Sequence, residues 1–292
     1  YSQILLACVR LDIFRRVQDH PENLNSLAKQ TQVSAPALQR LLNSAVALKL
    51  LTLRADQCYG LGPLGAPVAA FEGIQAMIEH HSTLYEDLLD PVALLRDTLP
   101  SAQMSRYWPY VKATDSPGAH SAAHDSFSRY SALMSASQPF VVDEILAAYS
   151  FRDHTHVLDV GGGQGTFVTR LARHAPHLQL HLFDLPAVAQ LAQHNIDRQG
   201  LSDRIHATGG SFLEDALPRG ADLVTLIRIA HDHPDQDVLT LLKAIHDALP
   251  AGGTLLLAEP MAHEGDQQSP GDAYFHFYLL AMGSGRLRTP HE

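Results

Sequence analysis

The chain lacks the features that mark exported, zinc-binding or membrane-spanning proteins. Its 292 residues contain only two cysteines, Cys8 and Cys58, which are too few for a disulfide framework or a zinc cluster. There is no signal peptide and no run of about 18 apolar residues, so we expect no segment to span a membrane. A reducing compartment, the cytoplasm, is therefore the predicted location.

Basic residues are also scarce. The chain has 21 Lys and Arg against 31 Asp and Glu, a formal net charge of −10, which argues against a general nucleic-acid-binding surface. A composition of 46% hydrophobic and 18% charged residues is typical of globular proteins. The chain begins inside an apolar helical pattern and stops without a closing element, so we interpret it as a fragment.

The most informative stretch that is present is the glycine-rich segment 156–165, H-V-L-D-V-G-G-G-Q-G. A short apolar strand pattern ends in four glycines within five residues, and a helical pattern begins at Thr166. Glycine is needed where the backbone takes positive φ angles or where a ligand approaches it closely. The spacing G-x-G-x-G differs from the dinucleotide fingerprint G-x-G-x-x-G, which favours an adenosine-bearing cofactor other than NAD.

From residue 156 onward the pattern alternates between strands and helices. Strands are predicted at 156–160, 178–183, 204–208, 221–229 and 253–258, and helices at about 166–174, 187–199 and 236–248. Strands this apolar suit a parallel sheet that is covered on both faces. Right-handed crossovers then predict a doubly wound, Rossmann-like α/β sheet. With the strand order 3-2-1-4-5, its ligand crevice lies between the first and fourth strands.

The preceding half of the chain is predicted to be mostly helical. Helical patterns followed by a hairpin within 46–65 suggest a winged-helix-like unit. Winged helices often bind DNA, but the acidic charge favours a dimerisation or substrate-capping role. We therefore predict a winged-helix-like domain at 1–110, a helical connector at 111–150, and a cofactor domain at 151–292 that is incomplete at its C-terminus.

Several side chains are predicted to surround the crevice. Asp184 ends the second strand, 19 residues after Gly165, where a carboxylate can accept both ribose hydroxyls; the alternative is a helix N-cap before Pro186. Asp159 could hold the glycine loop or reach the cofactor's amino group. Ser211 and Phe212 end the third strand, where an adenine would lie.

His231 is the candidate general base. It follows the fourth strand at the predicted crevice, and a neutral imidazole can remove a hydroxyl proton. Asp232 and Glu259 are available as orienting carboxylates. The alternative is a structural role, because the chain has 18 histidines. The acidic residues near the site are dispersed, so no metal is predicted.

Five short motifs together resemble a family. Segment 157–165, Phe183-Asp-Leu-Pro, Gly209-Gly-Ser-Phe, His231-Asp-His and Ala258-Glu-Pro occur in the order seen in S-adenosylmethionine-dependent O-methyltransferases of the caffeate/acetylserotonin type. The resemblance implies a homodimer with S-adenosylmethionine as cofactor and His231 as base, steered by Glu259. It implies cofactor contacts from the following residues: Asp159, Gly161, Gly163, Asp184, Leu185, Ser211, Phe212 and Arg228.

Within this family the chain looks most like the carotenoid branch, the demethylspheroidene (hydroxyneurosporene) O-methyltransferases. The segments that carry this likeness are Leu88-Leu-Asp-Pro, 105–110, 228–233 and 272–286. A sister group that methylates a carbon of bacteriochlorophyllide has similar signatures, and a phenolic acceptor is a further alternative. The predicted acceptor pocket is apolar, and its lining residues are Tyr107, Trp108, Phe275, Tyr278 and Met282. Because such an acceptor is lipophilic, peripheral contact with a membrane is compatible with this prediction. Trp108 could equally be a core anchor.

Two positions depart from the family pattern. Ser211 stands where the family usually has Asp, which puts one adenine contact in doubt. Leu287 stands where a second acid usually supports the catalytic histidine. We then expect His231 to accelerate methyl transfer only modestly. Holding the acceptor oxygen close to the methyl group would supply more of the rate. The family's last two strands are also missing beyond Glu292. A rival from another class is a DNA-binding regulator whose sheet senses a ligand.

Overall fold

The computed structural model describes residues 1–98, 103–107, 133, 138–265 and 269–292. These residues form two compact units, Tyr1–Thr83 and Leu84–Glu292. The predicted boundary at residue 110 lies outside the described residues, and the three-part division of the chain stays a prediction.

The first unit combines helices with a small antiparallel sheet. Its helices are α1 (Ser2–Arg10), α2 (Ile13–Arg16), α3 (Leu24–Thr31), α4 (Ala35–Ala47) and α5 (Gly65–Ala70), and α6 (Glu72–Asp87) contains the division point. Strands β1 (Glu22–Asn23), β2 (Leu51–Leu53) and β3 (Cys58–Leu61) pair in the order β1-β3-β2. The helices pack around the buried side chains of Phe14, Leu27, Leu38 and Leu42.

The second unit contains a five-stranded parallel sheet. Its strands are β4 (His156–Val160), β5 (Gln179–Asp184), β6 (Ile205–Gly209), β7 (Leu223–Ile227) and β8 (Thr254–Ala258). They pair in the order β6-β5-β4-β7-β8, which is the predicted order 3-2-1-4-5. The predicted parallel α/β sheet is therefore confirmed. The fourth strand is shorter than predicted because Arg228 takes a left-handed conformation, with φ +60°, which ends the extended backbone.

Helices cover both faces of this sheet. The helices of the second unit are α7 (Pro91–Leu95), α8 (Gln103–Tyr107), α9 (138–148), α10 (Thr166–His174), α11 (Pro186–Arg198), α12 (Asp235–Ala248) and α13 (Pro270–Met282). Of these, α9, α10, α11 and α12 pack against the strands. Alternate residues of β4 enter different cores, since successive side chains of a strand point to opposite faces. Val157 packs with Phe167 of α10, whereas Leu158 packs with Leu241 and Ile245 of α12.

A third apolar cluster surrounds α13. Leu94 of α7 and Met104 of α8 pack there against Tyr278, Met282 and Leu287. None of the helices in the described part of the chain is long and apolar enough to span a membrane.

Candidate active site

The glycine loop connects β4 to α10 at the carboxyl edge of the sheet. Gly161, Gly163 and Gly165 have φ angles of +72°, +58° and +83°, which glycine adopts without strain. A Cβ atom on Gly161 would lie 2.4 Å from Cδ1 of Ile229, so the loop packs too closely there for a side chain. A Cβ on Gly163 would meet nothing within 4 Å, so the backbone at Gly163 borders open space that a ligand can occupy.

Asp159 lies buried directly beneath this loop. Its Oδ1 accepts a hydrogen bond of 2.7 Å from the Thr225 hydroxyl on β7, while its Oδ2 has no partner among the described residues. Burial raises the pKa of Asp159 to about 7, and the nearby Asp184 adds to this although the Thr225 hydrogen bond opposes it. Sequence reasoning did not identify Thr225, because a buried Thr within an apolar strand carries no pattern of its own.

Asp184 links the end of β5 to the glycine loop. Its Oδ2 accepts from the Gly163 N–H at 2.8 Å and its Oδ1 from the Leu185 N–H at 2.7 Å. Leu185, not Asp184, is the N-cap residue of α11, so the alternative of a helix cap does not describe this carboxylate. Burial raises the pKa of Asp184 to about 6, although the two backbone donors lower it.

Ser211 and Phe212 follow β6 in a tight turn. The Ser211 N–H donates to Oδ2 of Asp215 at 2.8 Å, and the Ser211 hydroxyl accepts from the Leu213 N–H. The Phe212 ring meets His233 edge-on, with ring centroids 5.2 Å apart. The half-buried Phe212 thus lies near the turn that follows β7, on the predicted adenine side of the crevice.

Glu259 organises the turn after β7. Its carboxylate follows β8 and accepts hydrogen bonds from three successive backbone N–H groups, those of Ile229 (2.7 Å), Ala230 (2.8 Å) and His231 (3.3 Å). The buried turn at Ala230–Asp232 is therefore built around one carboxylate group.

His231 lies between two carboxylates. Its Nδ1 is 2.6 Å from Oε2 of Glu259 and its Nε2 is 3.0 Å from Oδ1 of Asp232. The side chain is 6% exposed. Burial alone would lower the pKa of His231, but the two carboxylates outweigh it and raise the pKa to about 9. The three predicted catalytic residues are thus in contact, and Asp232 occupies the nitrogen opposite Glu259.

Arg228 joins the end of β7 to this turn. Its N–H donates to the Ala258 carbonyl at 2.8 Å, and its positive φ is unfavourable for a residue with a side chain by about 1–2 kcal/mol. Left-handed backbone outside glycine is concentrated at functional sites. Burial raises the pKa of the Tyr274 phenol on α13, and the nearby Arg228 guanidinium partly opposes this rise.

The predicted acceptor residues fall into three groups. Phe275 meets the His231 ring edge-on, with centroids 6.1 Å apart at 89°. Tyr278 and Met282, one and two turns further along α13, are buried in the third apolar cluster with Leu94 and Leu287. Trp108 and the side chain of Tyr107 lie outside the described residues.

Residues 284–288 follow α13 and hold the His231 turn from its other side, a contact that the sequence analysis did not predict. Arg286 N–H donates to the His231 carbonyl (3.0 Å), and the Ser284 hydroxyl donates to the Asp232 carbonyl (2.9 Å). The guanidinium of Arg288 donates to the carbonyls of Ala230 and His233. Gly285, Arg286 and Arg288 form no sequence pattern that links them to the residues after β7, so this contact could not be predicted.

No group of three or more His, Cys, Asp or Glu side chains within the described ranges is arranged to hold a metal ion.

Comparison with known proteins places this site in a family. The O-methyltransferase domain profile matches residues 85–292. The chain belongs to the O-methyltransferase family. It is 40% identical over 294 residues to the demethylspheroidene O-methyltransferase of Cereibacter sphaeroides, covering 100% of this chain and 76% of that protein. It is 40% identical over 291 residues to the protein of the same name from Rhodobacter capsulatus, covering 100% of this chain and 71% of the relative.

A solved structure supports the fold. Human N-acetylserotonin methyltransferase, determined in complex with S-adenosylmethionine, superposes with a TM-score of 0.75 at 22% identity over 99% of this chain and 85% of that chain. This chain therefore has the same fold as that methyltransferase. As a member of this family the chain is an O-methyltransferase that uses S-adenosylmethionine.

The crevice fits this cofactor. The open space above Gly163 gives the cofactor access to bare backbone. Asp184, held by two backbone donors, keeps further acceptor positions on both oxygens for ribose hydroxyls. The buried Oδ2 of Asp159 has no partner among the described residues, so it is available to a polar group of the cofactor. These features all lie between β4, β5 and β7, at the point where the winding of the sheet reverses.

Proposed function

We propose that this enzyme methylates a hydroxyl group of a hydroxylated carotenoid of the demethylspheroidene or hydroxyneurosporene type, with His231 as the general base. The observation that supports this choice of acceptor is the 40% identity over the whole chain to two demethylspheroidene O-methyltransferases. The observation that supports the base is the buried contact of 2.6 Å between His231 and Glu259 at the end of β7.

The cofactor is bound by the three predicted sets of residues around the glycine loop. The backbone at Gly161 and Gly163 borders the cofactor, Asp184 accepts the ribose hydroxyls, and Ser211 and Phe212 border the adenine. The bound cofactor supplies a methyl group that its sulfonium makes electrophilic. Asp159, Leu185 and Arg228 complete the predicted contacts.

His231 removes the proton from the acceptor hydroxyl. Glu259 can only accept from the imidazole, so the Nδ1 atom carries a hydrogen and the Nε2 atom faces the acceptor. In the observed arrangement Asp232 occupies Nε2, so its side chain has to turn aside for the acceptor oxygen to reach this nitrogen. When His231 becomes an imidazolium, the two carboxylates stabilise its charge.

The raised pKa has two opposing consequences. A more basic imidazole is a better proton acceptor for a weakly acidic alcohol. However, a pKa of about 9 leaves only about 1% of the imidazole neutral at pH 7. Proximity of the acceptor oxygen therefore supplies much of the rate, and His231 supplies a smaller part.

An apolar wall would bind the polyene. Phe275 places its ring edge against His231, and the aromatic group continues through Tyr274 and Tyr278 along α13. Aromatic and aliphatic surfaces of this kind suit a hydrocarbon ligand. Leu287, buried beside Tyr278 in the third cluster, keeps this side of the site free of a second acid.

The first unit completes the proposal. Its helices and antiparallel strands are consistent with a winged-helix-like domain that caps the acceptor and forms a homodimer. The chain would act in the cytoplasm on a small hydrophobic molecule and would bind no nucleic acid. Salt-dependent DNA binding at sub-micromolar affinity would instead support the alternative function, a DNA-binding regulator whose sheet senses a ligand.

The base role is tested by His231→Ala in the full chain. Methyl transfer is assayed in parallel with cofactor affinity by calorimetry. We expect a loss of about 100-fold or more in kcat with an unchanged cofactor Kd. Unchanged turnover would exclude His231 as the base, whereas a weakened Kd would assign it to cofactor positioning.

The acceptor is tested by incubating the enzyme with hydroxyneurosporene, demethylspheroidene, a bacteriochlorophyllide and a phenol. Product mass and NMR separate a methyl ether from a new carbon–methyl bond. Ether formation on the two carotenoids supports the proposal. Methylation of a tetrapyrrole carbon, or ether formation on the phenol alone, contradicts it and selects the corresponding alternative.

A further inference from the structure

The peptide groups of the His231 turn are held from two sides. Glu259 accepts from the N–H groups that enter the turn. On the other side, all four carbonyls from Ala230 to His233 accept hydrogen bonds from residues 284–288. The backbone of the proposed base therefore has little freedom to move.

Arg288 makes the largest contribution to the second side. Its Nη1 donates to the Ala230 carbonyl at 2.6 Å and its Nη2 to the His233 carbonyl at 3.0 Å, so one guanidinium spans the turn. The same guanidinium contacts Oδ1 of Asp235 at 2.6 Å, which fixes the plane of the fork. Its side chain is only 16% exposed, so water competes weakly for these bonds.

Gly285 makes the close approach possible. It has φ +75°, and a Cβ atom there would lie 2.0 Å from the His231 carbonyl oxygen and 2.8 Å from Cα of Asp232. Only glycine allows residues 284–288 to lie directly against the backbone of both residues. The segment continues directly from α13, which carries Phe275 and the rest of the apolar wall.

We propose that Arg288 is a positioning residue: by binding the Ala230 and His233 carbonyls it fixes the turn that holds the His231 imidazole against Glu259. The proposal rests on the base role proposed above for His231. Arg288 does not touch substrate or cofactor; it acts by fixing the turn from which the imidazole projects. Because the geometry needs a planar fork with several donors, a lysine of equal charge does not replace it.

The experiment compares Arg288→Gln and Arg288→Lys with Arg204→Gln in the full chain. Arg204 is a matched control because its guanidinium also donates to two backbone carbonyls, those of Pro176 (3.0 Å) and Ala172 (2.7 Å), at the opposite edge of the sheet. We expect both Arg288 variants to lower kcat by between about tenfold and 100-fold. Cofactor Kd should change by less than about twofold, and Arg204→Gln should leave kcat unchanged.

A second measurement does not require turnover. In protein with ¹³C-labelled histidine, the His231 resonance is the one that disappears in His231→Asn, and its titration is followed by NMR. Both Arg288 variants should move that titration towards the ordinary histidine range, because the imidazole no longer stays between its carboxylates. If the His231 titration shifts in the same direction in Arg288→Lys, which keeps the positive charge, then loss of charge is not the cause of the shift.

The outcomes separate the two proposals. If Arg288→Lys or Arg288→Gln keeps normal kcat and normal His231 titration, or changes only the unfolding midpoint as Arg204→Gln does, the positioning role is wrong. If His231→Ala keeps its turnover while the Arg288 variants still shift the titration, the base role fails but the positioning of the imidazole stands.

Discussion

Oε2 of Glu259 lies 2.6 Å from Nδ1 of His231, and the same carboxylate accepts from the backbone N–H of His231 and of the two residues before it. The pairing of Ile227 with Ala258 in neighbouring parallel strands brings the two residues to the same edge of the sheet. The Glu259 carboxylate thereby fixes the direction of the imidazole ring and, together with Asp232, raises its affinity for a proton.

Replacing Glu259 with Gln should shift the pH dependence of methyl transfer. The base must be neutral to act, so the rate rises with pH and levels off above the pKa of His231, about 9. Without the Glu259 charge this pKa falls towards 6.5, and the rise moves to lower pH. The kcat at the plateau should fall by about tenfold or more, because the weaker base and the loosened turn both slow proton removal.

The control for this prediction is Asp232→Asn. It removes the charge beside Nε2, which also lowers the pKa of His231, but it leaves the three N–H bonds to Glu259 intact. Its profile should shift with a smaller loss at the plateau, while the exposed Glu214→Gln should not shift it. A profile for Glu259→Gln that coincides with wild type would contradict the coupling between the two residues.

Alanine substitutions in the glycine loop should separate stability from cofactor binding. A Cβ on Gly162 would lie 2.6 Å from Oδ2 of Asp159 and 2.7 Å from Cδ1 of Leu182, so Gly162→Ala should destabilise the fold by about 1–3 kcal/mol. A Cβ on Gly163 meets open space, so Gly163→Ala adds only the backbone strain of about 1–2 kcal/mol.

The distinguishing measurement is cofactor affinity by calorimetry beside urea unfolding. Gly163→Ala should weaken the Kd by about tenfold or more, because its methyl group occupies the space that the cofactor needs. Gly200→Ala is the matched control, with a similar φ of +67° and open space at a distant turn. Equal Kd values for Gly163→Ala and Gly200→Ala would place the cofactor elsewhere.

Much of the second unit could be predicted because its pattern is local and its topology is constrained. Apolar strand runs, helix-period segments and the right-handed crossover rule together predict a parallel sheet in the order 3-2-1-4-5, and the structure has that order. The same logic brings the glycine loop, Asp184 and His231 to one edge. A site built from strand ends follows directly from the strand order.

The support around the site could not be predicted, because it depends on contacts between distant segments. Thr225 and Asp159 are 66 residues apart, and Arg288 and Ala230 are 58 apart. Neither pair has a spacing rule that links its members. The left-handed conformation of Arg228 was equally invisible, since arginine has no preference for it and only the surrounding contacts impose it.

Replacing Asp159 with Asn should change how stability depends on pH in the absence of cofactor. Its pKa is raised from 3.8 to about 7 in the folded protein. Between these values the native state holds a proton that the unfolded chain has released, so this carboxyl makes the protein less stable as pH rises from about 4 to 7. Asp159→Asn cannot ionise and should lack this loss.

The measurement is the unfolding free energy in urea at pH 5, 6, 7 and 8. Relative to wild type, Asp159→Asn should become steadily more stable up to about pH 7 and keep a constant difference above it. Asp247→Asn, with its side chain 77% exposed, is the control and should show no such trend. A difference that does not vary with pH would mean that Asp159 does not titrate in this range.

Installing an acid at position 287 should destabilise the protein rather than restore the family's second carboxylate. Leu287 is 4% exposed and packs in the cluster that contains Leu94, Met104 and Tyr278. A glutamate there would bury a charge among apolar side chains, so Leu287→Glu should lower the unfolding free energy by about 3 kcal/mol or become protonated. Leu287→Met, which keeps the volume, should cost less than about 1.5 kcal/mol.

Urea unfolding at pH 5 and pH 8 measures both variants, and the loss of unfolding free energy in Leu287→Glu should be larger at pH 8. If Leu287→Glu were as stable as Leu287→Met and raised kcat, position 287 would be open to the His231 site, and the apolar wall proposed here would be wrong.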